Sequence, residues 1–487
     1  MRRSPSSLRR RAAVAVWIVP AMAVGLFTRA APADSSAAPK LPKVRVAEDG
    51  GGFVTEAGEA YAPIGVNYFR PHTGWAPQLW RQFDVGATKA DFATMRDLGV
   101  NCVRVFLSYG SFYSERGVLD EAGLARFDQF LDMAAAHGIY VIPTGPDHWE
   151  GLPEWARTDQ VADERHIEAL EEFWRLFAAR YRGRSVLLAY DLRNEPSVGW
   201  DSRAMRTQWP AWLEAEYGSL AAAGEALGIE DFAERFEEVG VPDPERSPPA
   251  ELLLAYQRFR ESLAERWTAR QAAAIREADP EALVTVGMIQ WSVPTLLPRV
   301  QHYSGFRPER QAEHLDYLTV HFYPLDGGLA YRNPEEVERN LAYVEGIVRE
   351  VARAGKPVVL GEFGWYGGGA PRFGGGQPAA TEEQQAEYCR RVVETTAPWV
   401  CGWLNWGLFD TPEARDVSEL TGLLTVDGEE KAWGHTFRTL AERYRGWRPP
   451  PADAAERPHL DWDAAVVDPA AGHAFRETYR RSFRAVP

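Results

Sequence analysis

Cysteine is scarce. Cys102, Cys389 and Cys401 are the only three in 487 residues. An odd count at such spacing fits neither a disulfide framework nor a zinc site. Cys102 and Cys401 sit in apolar strand-like runs, where cysteine serves as a small hydrophobe. No cluster of His, Cys and carboxylates has metal-ligand spacing. His166 and Glu168 share a helix that lacks a second histidine at the right offset, so no metal or other cofactor is expected. The glycine signature of a dinucleotide site is also missing, since Ile64-Gly65-Val66-Asn67 stands where G-x-G-x-x-G would have to be. Positive charge is in short supply: 54 Lys and Arg face 69 Asp and Glu, a formal net charge of −15. An acidic surface repels phosphate backbones and anionic membranes. Nucleic acid is therefore not an expected partner, whereas a neutral polysaccharide is indifferent to that charge.

A long apolar stretch, Ala12 to Phe27, follows a basic run of Arg2, Arg3, Arg9, Arg10 and Arg11. Ala31-Pro32-Ala33 then offers a small-x-small cleavage site. Residues 1–33 read as an export signal, by the general or the twin-arginine route, and not as an uncleaved anchor. No cysteine adjoins the site for lipid attachment. Cleavage removes six arginines and no acids, leaving a charge of −21. A secreted or extracytoplasmic protein without stable membrane insertion is expected.

Residues 34–42, rich in Ala, Ser and Pro, read as a flexible lead-in. Val44 to Ala62 alternates and carries turn signals, predicting a hairpin that plugs one end of a barrel. Strands then alternate with helices. The strands are expected at 64–68, 102–107, 140–143, 187–192, 283–288, 317–322, 358–362 and 402–406. The helices are expected at 89–98, 121–136, 164–181, 252–278, 334–354, 382–395 and 436–444. Eight such strands predict an α/β fold, a (β/α)8 TIM barrel spanning residues 43–447. A long insertion, 197–250, rich in Trp, Glu and Pro, interrupts it after the fourth strand, and a region of that length usually carries function or a lid. The glycine-rich loop 367–376 reads as hinge material. Residues 448–487 form a C-terminal extension, packed on the outside or partly loose.

Reactive groups in such barrels stand at the carboxyl ends of the strands. Strand four runs into Asn194-Glu195-Pro196 and strand seven ends in Gly361-Glu362-Phe363-Gly364. Two carboxylates facing each other across the mouth suit acetal cleavage, in which one protonates the leaving oxygen and the other attacks or activates water. Tyr190-Asp191-Leu192-Arg193-Asn194-Glu195-Pro196 resembles the acid/base motif of the retaining glycoside hydrolase superfamily that includes the family 5 cellulases and mannanases. The order of further motifs agrees: Asn101-Cys102-Val103-Arg104, His321-Phe322-Tyr323, Gly361 to Trp365, and Trp403 to Trp406. A second stretch, Trp209-Pro210-Ala211-Trp212-Leu213-Glu214-Ala215-Glu216-Tyr217-Gly218, resembles the insertion of family 42 β-galactosidases.

The resemblance implies Glu195 as acid/base and Glu362 as nucleophile. It implies Arg104 and Tyr323 as supports of Glu362, Asn194 as a partner of the sugar 2-hydroxyl, and Trp406 as the floor of the sugar site. The charge of Glu362 is expected to raise the pKa of Glu195. His321 and His148 are polar candidates for sugar hydroxyls, although His148 reads equally as a satisfied loop histidine. Trp365, with Trp75, Trp200 and Trp291, falls in loops near the mouth and could stack on pyranose faces. The function so implied is a secreted retaining β-glycoside hydrolase acting on mannan- or glucan-like chains. The alternatives are an exo-acting β-galactosidase-like enzyme and a non-catalytic carbohydrate-binding barrel. Transglycosylation would use the same residues.

Overall fold

A computed structural model describes residues 40–73, 76–230, 232–324, 331, 333–372, 377–450 and 457–483. The expected export signal, most of the lead-in, Trp75 and part of the glycine-rich loop lie outside them. Three short antiparallel strands come first: β1 (Val44–Val46), β2 (Phe53–Thr55) and β3 (Ala60–Tyr61). Eight parallel strands follow. They are β4 (Ile64–Asn67), β5 (Cys102–Ser108), β6 (Tyr140–Asp147), β7 (Tyr190–Asn194), β8 (Val284–Met288), β9 (Leu318–Phe322), β10 (Val358–Phe363) and β11 (Trp403–Asn405). Each pairs with the next, and β11 pairs with β4 to close the barrel. The strands are short, rich in Val and Ile, and buried on both faces, as a covered parallel sheet requires.

Helices cover the outside, and their first turns carry the expected caps. Asp84, Asp120 and Asp163 each accept a hydrogen bond from a backbone N–H of the helix they start. Thr381 and Gln384 form a reciprocal capping box. The main core lies between barrel and helices, where Trp80, Trp174, Trp267 and Trp433 are fully buried. No helix among the described residues is long and apolar enough to cross a membrane.

The N-terminal hairpin closes the amino end of the barrel. Val44, Phe53 and Tyr61 share a cluster with Cys102, Tyr140, Leu188, Leu283, Tyr317 and Cys401, which stand at or just before the starts of six barrel strands. Phe53 meets Tyr317 edge-on at 5.1 Å, and Tyr61 meets Tyr140 at 5.0 Å. Both Cys102 and Cys401 are buried and unpaired, the role their apolar surroundings suggested.

The insertion is more ordered than its composition alone suggested. Ser202 and Ser219 cap two helices, Arg203–Tyr217 and Leu220–Leu227, and both helices end on a left-handed glycine, Gly218 and Gly228. Trp209 stacks on Trp212 and meets Tyr256 edge-on at 5.0 Å, docking the insertion on the long helix Ala250–Ala278. Trp200 is engaged there too: its Nε1 donates to the Pro242 carbonyl, and its ring lies 4.9 Å from Tyr256. The described part of the extension is packed. Its helix Pro469–Ser482 lies on the helix Pro334–Ala352, where Tyr479 donates to Glu345 (2.7 Å). Its helix Trp462–Val467 lies on the helix Ala250–Ala278, where Gln257 donates to the Val466 carbonyl (2.8 Å), with Trp462 also donating to Glu350 (3.2 Å).

Since Phe53 is fully buried in the barrel plug, Phe53→Ala should cost about 3 kcal/mol of stability. Urea denaturation should record a lower midpoint while the far end of the barrel keeps its geometry.

Candidate active site

Inward-pointing polar residues converge at the carboxyl ends of the strands. The organising group is Arg104 on β5, a fully buried guanidinium. Its Nε donates to Asp191 (2.7 Å), one terminal nitrogen to both Glu362 (2.7 Å) and Asn67 (3.0 Å), and the other to Asn194 (2.9 Å). One side chain thus joins β4, β5, β7 and β10. Burial works against its charge, but Asp191 and Glu362 more than offset that, and its pKa rises above the ordinary arginine value. Asp191 is fastened in turn by Thr144 (3.0 Å) and by the Gly287 N–H (2.9 Å). Glycine at 287 is a steric necessity, because a Cβ there would stand 2.8 Å from Arg104 and 2.9 Å from His321.

The two glutamates live in different surroundings. Glu362 is almost sealed. Arg104 donates to its Oε1 and the Tyr323 hydroxyl to its Oε2 (2.9 Å). Burial pushes the Glu362 carboxyl up, while His321, Arg104 and Tyr323 pull it back down. Tyr323 keeps its proton, because burial and the Glu362 charge both raise its pKa. Its own N–H donates to Gln290 (2.8 Å), which fixes the segment after β9.

Glu195 follows β7 directly and keeps 27% of its side-chain exposure. Its backbone is left-handed, with φ of 46°, a conformation a non-glycine residue holds only when its surroundings enforce it. The Glu195 carboxyl is pushed up to about 7, first by burial and then by the charge of Asp147, while Arg104 opposes the rise. The expected cause was the charge of Glu362. The structure gives burial the larger share, with the Asp147 charge adding to it.

His321 joins the pair. Its Nδ1 lies 3.0 Å from Glu195 and 3.4 Å from Glu362. Burial holds its pKa down at about 4, so the ring is neutral near pH 7. The expectation that it faces sugar hydroxyls is corrected. The ring is fully buried, and its Nε2 lies against the space left by Gly287 and Gly361. One ligand atom from each of Glu195, His321 and Glu362 lies within 4.8 Å of the others. A metal ion could use such a set, but both Glu362 oxygens already accept from Arg104 and Tyr323.

Aromatic rings form the mouth. Phe69, Phe106 and Trp406 cluster with Trp149 and Tyr323. Trp406 is only 4% exposed, its Nε1 donating to Ser418 at 2.7 Å and its ring 5.3 Å from Phe69. Trp365 departs from expectation: at 2% exposure it packs in the main core on Tyr366, leaving no face for a sugar. His148 directly follows the third barrel strand, 47% exposed, its Nδ1 2.6 Å from the buried Asp147. Asn67, Asp191, Asp147, Gln290, Phe69, Phe106 and Trp149 were not singled out from sequence. Asn67 and Asp147 each end a strand, and Asp191 is a charged residue inside a buried one; those positions are the signal that could have found them.

Residues 54–408 match the family model for cellulase, glycosyl hydrolase family 5. The chain belongs to glycosyl hydrolase family 5. A β-galactosidase from Halorubrum lacusprofundi is 28% identical to this family 5 member over 258 residues, 46% of this chain and 34% of the relative. β-Galactosidases are among its relatives, as the resemblance of the insertion implied. The chain spans 29%, 34% and 45% of three curated relatives it matches, less than half of each. Among solved structures, GH5_18 from Streptomyces cattleya with GlcNAc superposes with a TM-score of 0.60 at 22% identity, covering 87% of this chain and 91% of that one. An exo-β-1,4-mannosidase from an Opitutaceae bacterium superposes with a TM-score of 0.56 at 20% identity, covering 82% and 62%. Both likenesses concern the fold.

Two substitutions test the network. Arg104→Met leaves Asp191 and Glu362 buried without their cation and should destabilise the protein by about 3–5 kcal/mol in denaturant melts. Gly287→Ala should leave the fold intact by circular dichroism yet lower turnover roughly 100-fold, since it displaces Arg104 and His321 from the glutamates.

Proposed function

We propose that the protein is a secreted retaining β-glycoside hydrolase that cleaves mannan- or glucan-like β-linked chains by double displacement. The observation that carries this reading is the spacing of the pair. An oxygen of Glu195 and an oxygen of Glu362 lie within 4.8 Å. Retaining enzymes hold their carboxyl groups about 5–5.5 Å apart, whereas inverting ones leave about 6.5–9.5 Å for a water.

In the first step Glu362 attacks the anomeric carbon. Arg104 and Tyr323 orient it and keep it ionised. Glu195, held protonated by burial, gives its proton to the glycosidic oxygen as that bond breaks. The product is a glycosyl ester on Glu362. In the second step Glu195, now ionised, takes a proton from water, which attacks the same carbon from the opposite side to the ester and releases a sugar of the original configuration. Neutral His321, its Nδ1 3.0 Å from Glu195, stays within hydrogen-bond reach of that carboxyl group without adding charge. Asn194, held by Arg104, stands where a 2-hydroxyl contact would strengthen in the transition state.

A second reading is exo action on terminal β-mannosyl or β-galactosyl residues, supported by the β-galactosidase relatives and by the likeness to an exo-mannosidase. Product analysis on β-mannan and β-glucan separates the two: a spread of oligosaccharides supports chain-internal cleavage, and release of monosaccharide alone supports exo action. Proton NMR of the first-formed sugar should show the β anomer, and an α anomer would refute double displacement. Glu362→Gln should abolish release with the fold unchanged. Retained sugar binding with no turnover in the wild type would favour a binding barrel.

The pH profile has a definite sign. Glu195 must be protonated to act as acid, and its carboxyl sits at about 7. The rate constant kcat/KM should therefore fall as pH rises through about 7. Glu362 must be ionised, so its elevated carboxyl sets the acid limb, and both limbs belong to the coupled pair. A flat profile from about pH 6 to about pH 9 would contradict this assignment. Export is tested separately: N-terminal sequencing of protein recovered outside the cytoplasm should begin at Asp34.

A further inference from the structure

Arg260 on the long helix Ala250–Ala278 is fully buried. Among the described residues it makes no ion pair with a carboxylate. Its donors go to main-chain carbonyls instead: one terminal nitrogen to Val198 (2.5 Å) and Tyr303 (2.7 Å), and Nε to Gly199 (3.3 Å). The other terminal nitrogen donates to the Gln257 side chain (2.6 Å), and the Trp200 ring lies 5.2 Å from the guanidinium carbon. Burial lowers its pKa to about 10, so it remains a cation at neutral pH. The Glu261 and Asp159 charges support it only from beyond ion-pair distance. A buried charge without a direct ion pair is costly, and an apolar side chain of that volume would fill the space more cheaply.

The position of those carbonyls gives the reason. Val198 and Gly199 are three and four residues beyond Glu195. The segment is fastened at its start by the Glu195 N–H on the Gly287 carbonyl (2.8 Å) and at its end by the Val198 N–H on the Ser304 carbonyl (2.8 Å). Arg260 closes over that end from the helix side, tying the loop after β7 to the loop after β8. Gly305 completes the fit, because a Cβ there would stand 2.9 Å from Val198. The planar fork reaches three carbonyls and the Gln257 side chain at once from separate nitrogens, whereas an ammonium offers its three donors from a single point.

We propose that Arg260 is a positioning residue for the acid/base carboxylate, holding the segment Glu195–Gly199 so that Glu195 keeps its left-handed backbone and its aim at the glycosidic oxygen. The proposal rests on the double-displacement reading above. Arg260 touches no substrate and acts through the main chain. Its loss should impair protonation of the leaving group and spare attack by Glu362, which hangs on β10 and on Arg104.

Leaving-group dependence separates those effects. Help from an acid matters for a poor leaving group such as phenol and little for dinitrophenol. The full mature protein, with Arg260→Lys and Gly305→Ala, is assayed for kcat/KM on phenyl and dinitrophenyl β-glycosides of a sugar that the wild type cleaves. Arg260→Lys should lose about 100-fold on the phenyl glycoside and less than about 5-fold on the dinitrophenyl one, with the basic limb of the pH profile displaced. Gly305→Ala pushes the same segment from the other side and should reproduce the selective loss, which decides the matter if Arg260→Lys does not fold. Equal losses on both glycosides would make Arg260 a purely structural anchor and overturn the proposal, as would no loss on either. A wild type that cleaves neither glycoside of any sugar would overturn the double-displacement reading itself.

Discussion

The Arg104 guanidinium sits where four barrel strands come together, and the chemistry of the mouth follows from how its charge is shared. Asp191 takes one edge through Nε, and Glu362 shares a terminal nitrogen with Asn67. One cation between two carboxylates leaves the interior with a net negative charge. Glu195 stands outside this exchange. It contacts no cation directly; burial and the neighbouring Asp147 raise its proton affinity. Two carboxylates on one barrel thereby have their proton affinities set by different surroundings. His321, neutral and with one nitrogen near both, links them without adding charge.

Room for this arrangement is set by residues with no polar groups at all. Gly287 and Gly361 leave the space that Arg104 and His321 fill. A barrel of this size is normally packed solid by branched side chains. Here the middle layer holds Arg104, Asp191 and Thr144 in one hydrogen-bonded chain and Thr285 bonded to Thr319, while His321 bonds Glu195. The apolar filling is displaced downward, into the plug of Phe53, Tyr61, Tyr140 and Tyr317. The hairpin supplies hydrophobic closure where the barrel gave up its own.

Much of this was legible in the sequence because period and punctuation were strong. All eight barrel strands stand within a few residues of where alternating apolar runs put them, and Gly99 and Gly138 mark helix ends in the chain as in the fold. Glu195, Glu362, Arg104 and Tyr323 were found because they close strands in a recognisable order. The misses share a cause: exposure and pairing are set by parts of the chain far apart in sequence. Trp365 looked like a loop tryptophan at the mouth, yet Tyr366 and the main core draw it in. His321 follows the right alternation, but the depth at which its ring rests depends on glycines in two other strands. Trp200 read as a sugar platform and Trp209 as part of a functional or lid-forming insertion; both instead bind the insertion to the helix that follows it, 40 to 60 residues downstream. The third strand runs four residues beyond its expected end, because the polar tail Thr144-Gly145-Pro146-Asp147 continues the ladder with β5 where composition alone signals a loop.

A buried cation also stands behind the nucleophile. Lys431 donates to the main-chain carbonyls of Gly367 (2.9 Å) and Leu420 (3.0 Å) and is neutralised by Asp410 (2.9 Å). Gly367 lies five residues beyond Glu362, and Leu420 lies two beyond Ser418, which holds Trp406. Gln385 repeats the pattern, donating to the Trp365 and Leu420 carbonyls. The loops after β10 and β11 are therefore fastened to each other by their backbones, as Arg260 fastens those after β7 and β8. The difference between the two clamps is instructive. Lys431 has a carboxylate in direct contact to offset its burial, whereas Arg260 bonds only to dipoles and feels the Glu261 and Asp159 charges from beyond ion-pair distance. A carboxylate close behind Glu195 would add negative charge where Asp147 already raises the proton affinity of that residue. Main-chain carbonyls hold the segment without bringing in a further full negative charge, which suits a group that must exchange its proton twice in each turnover.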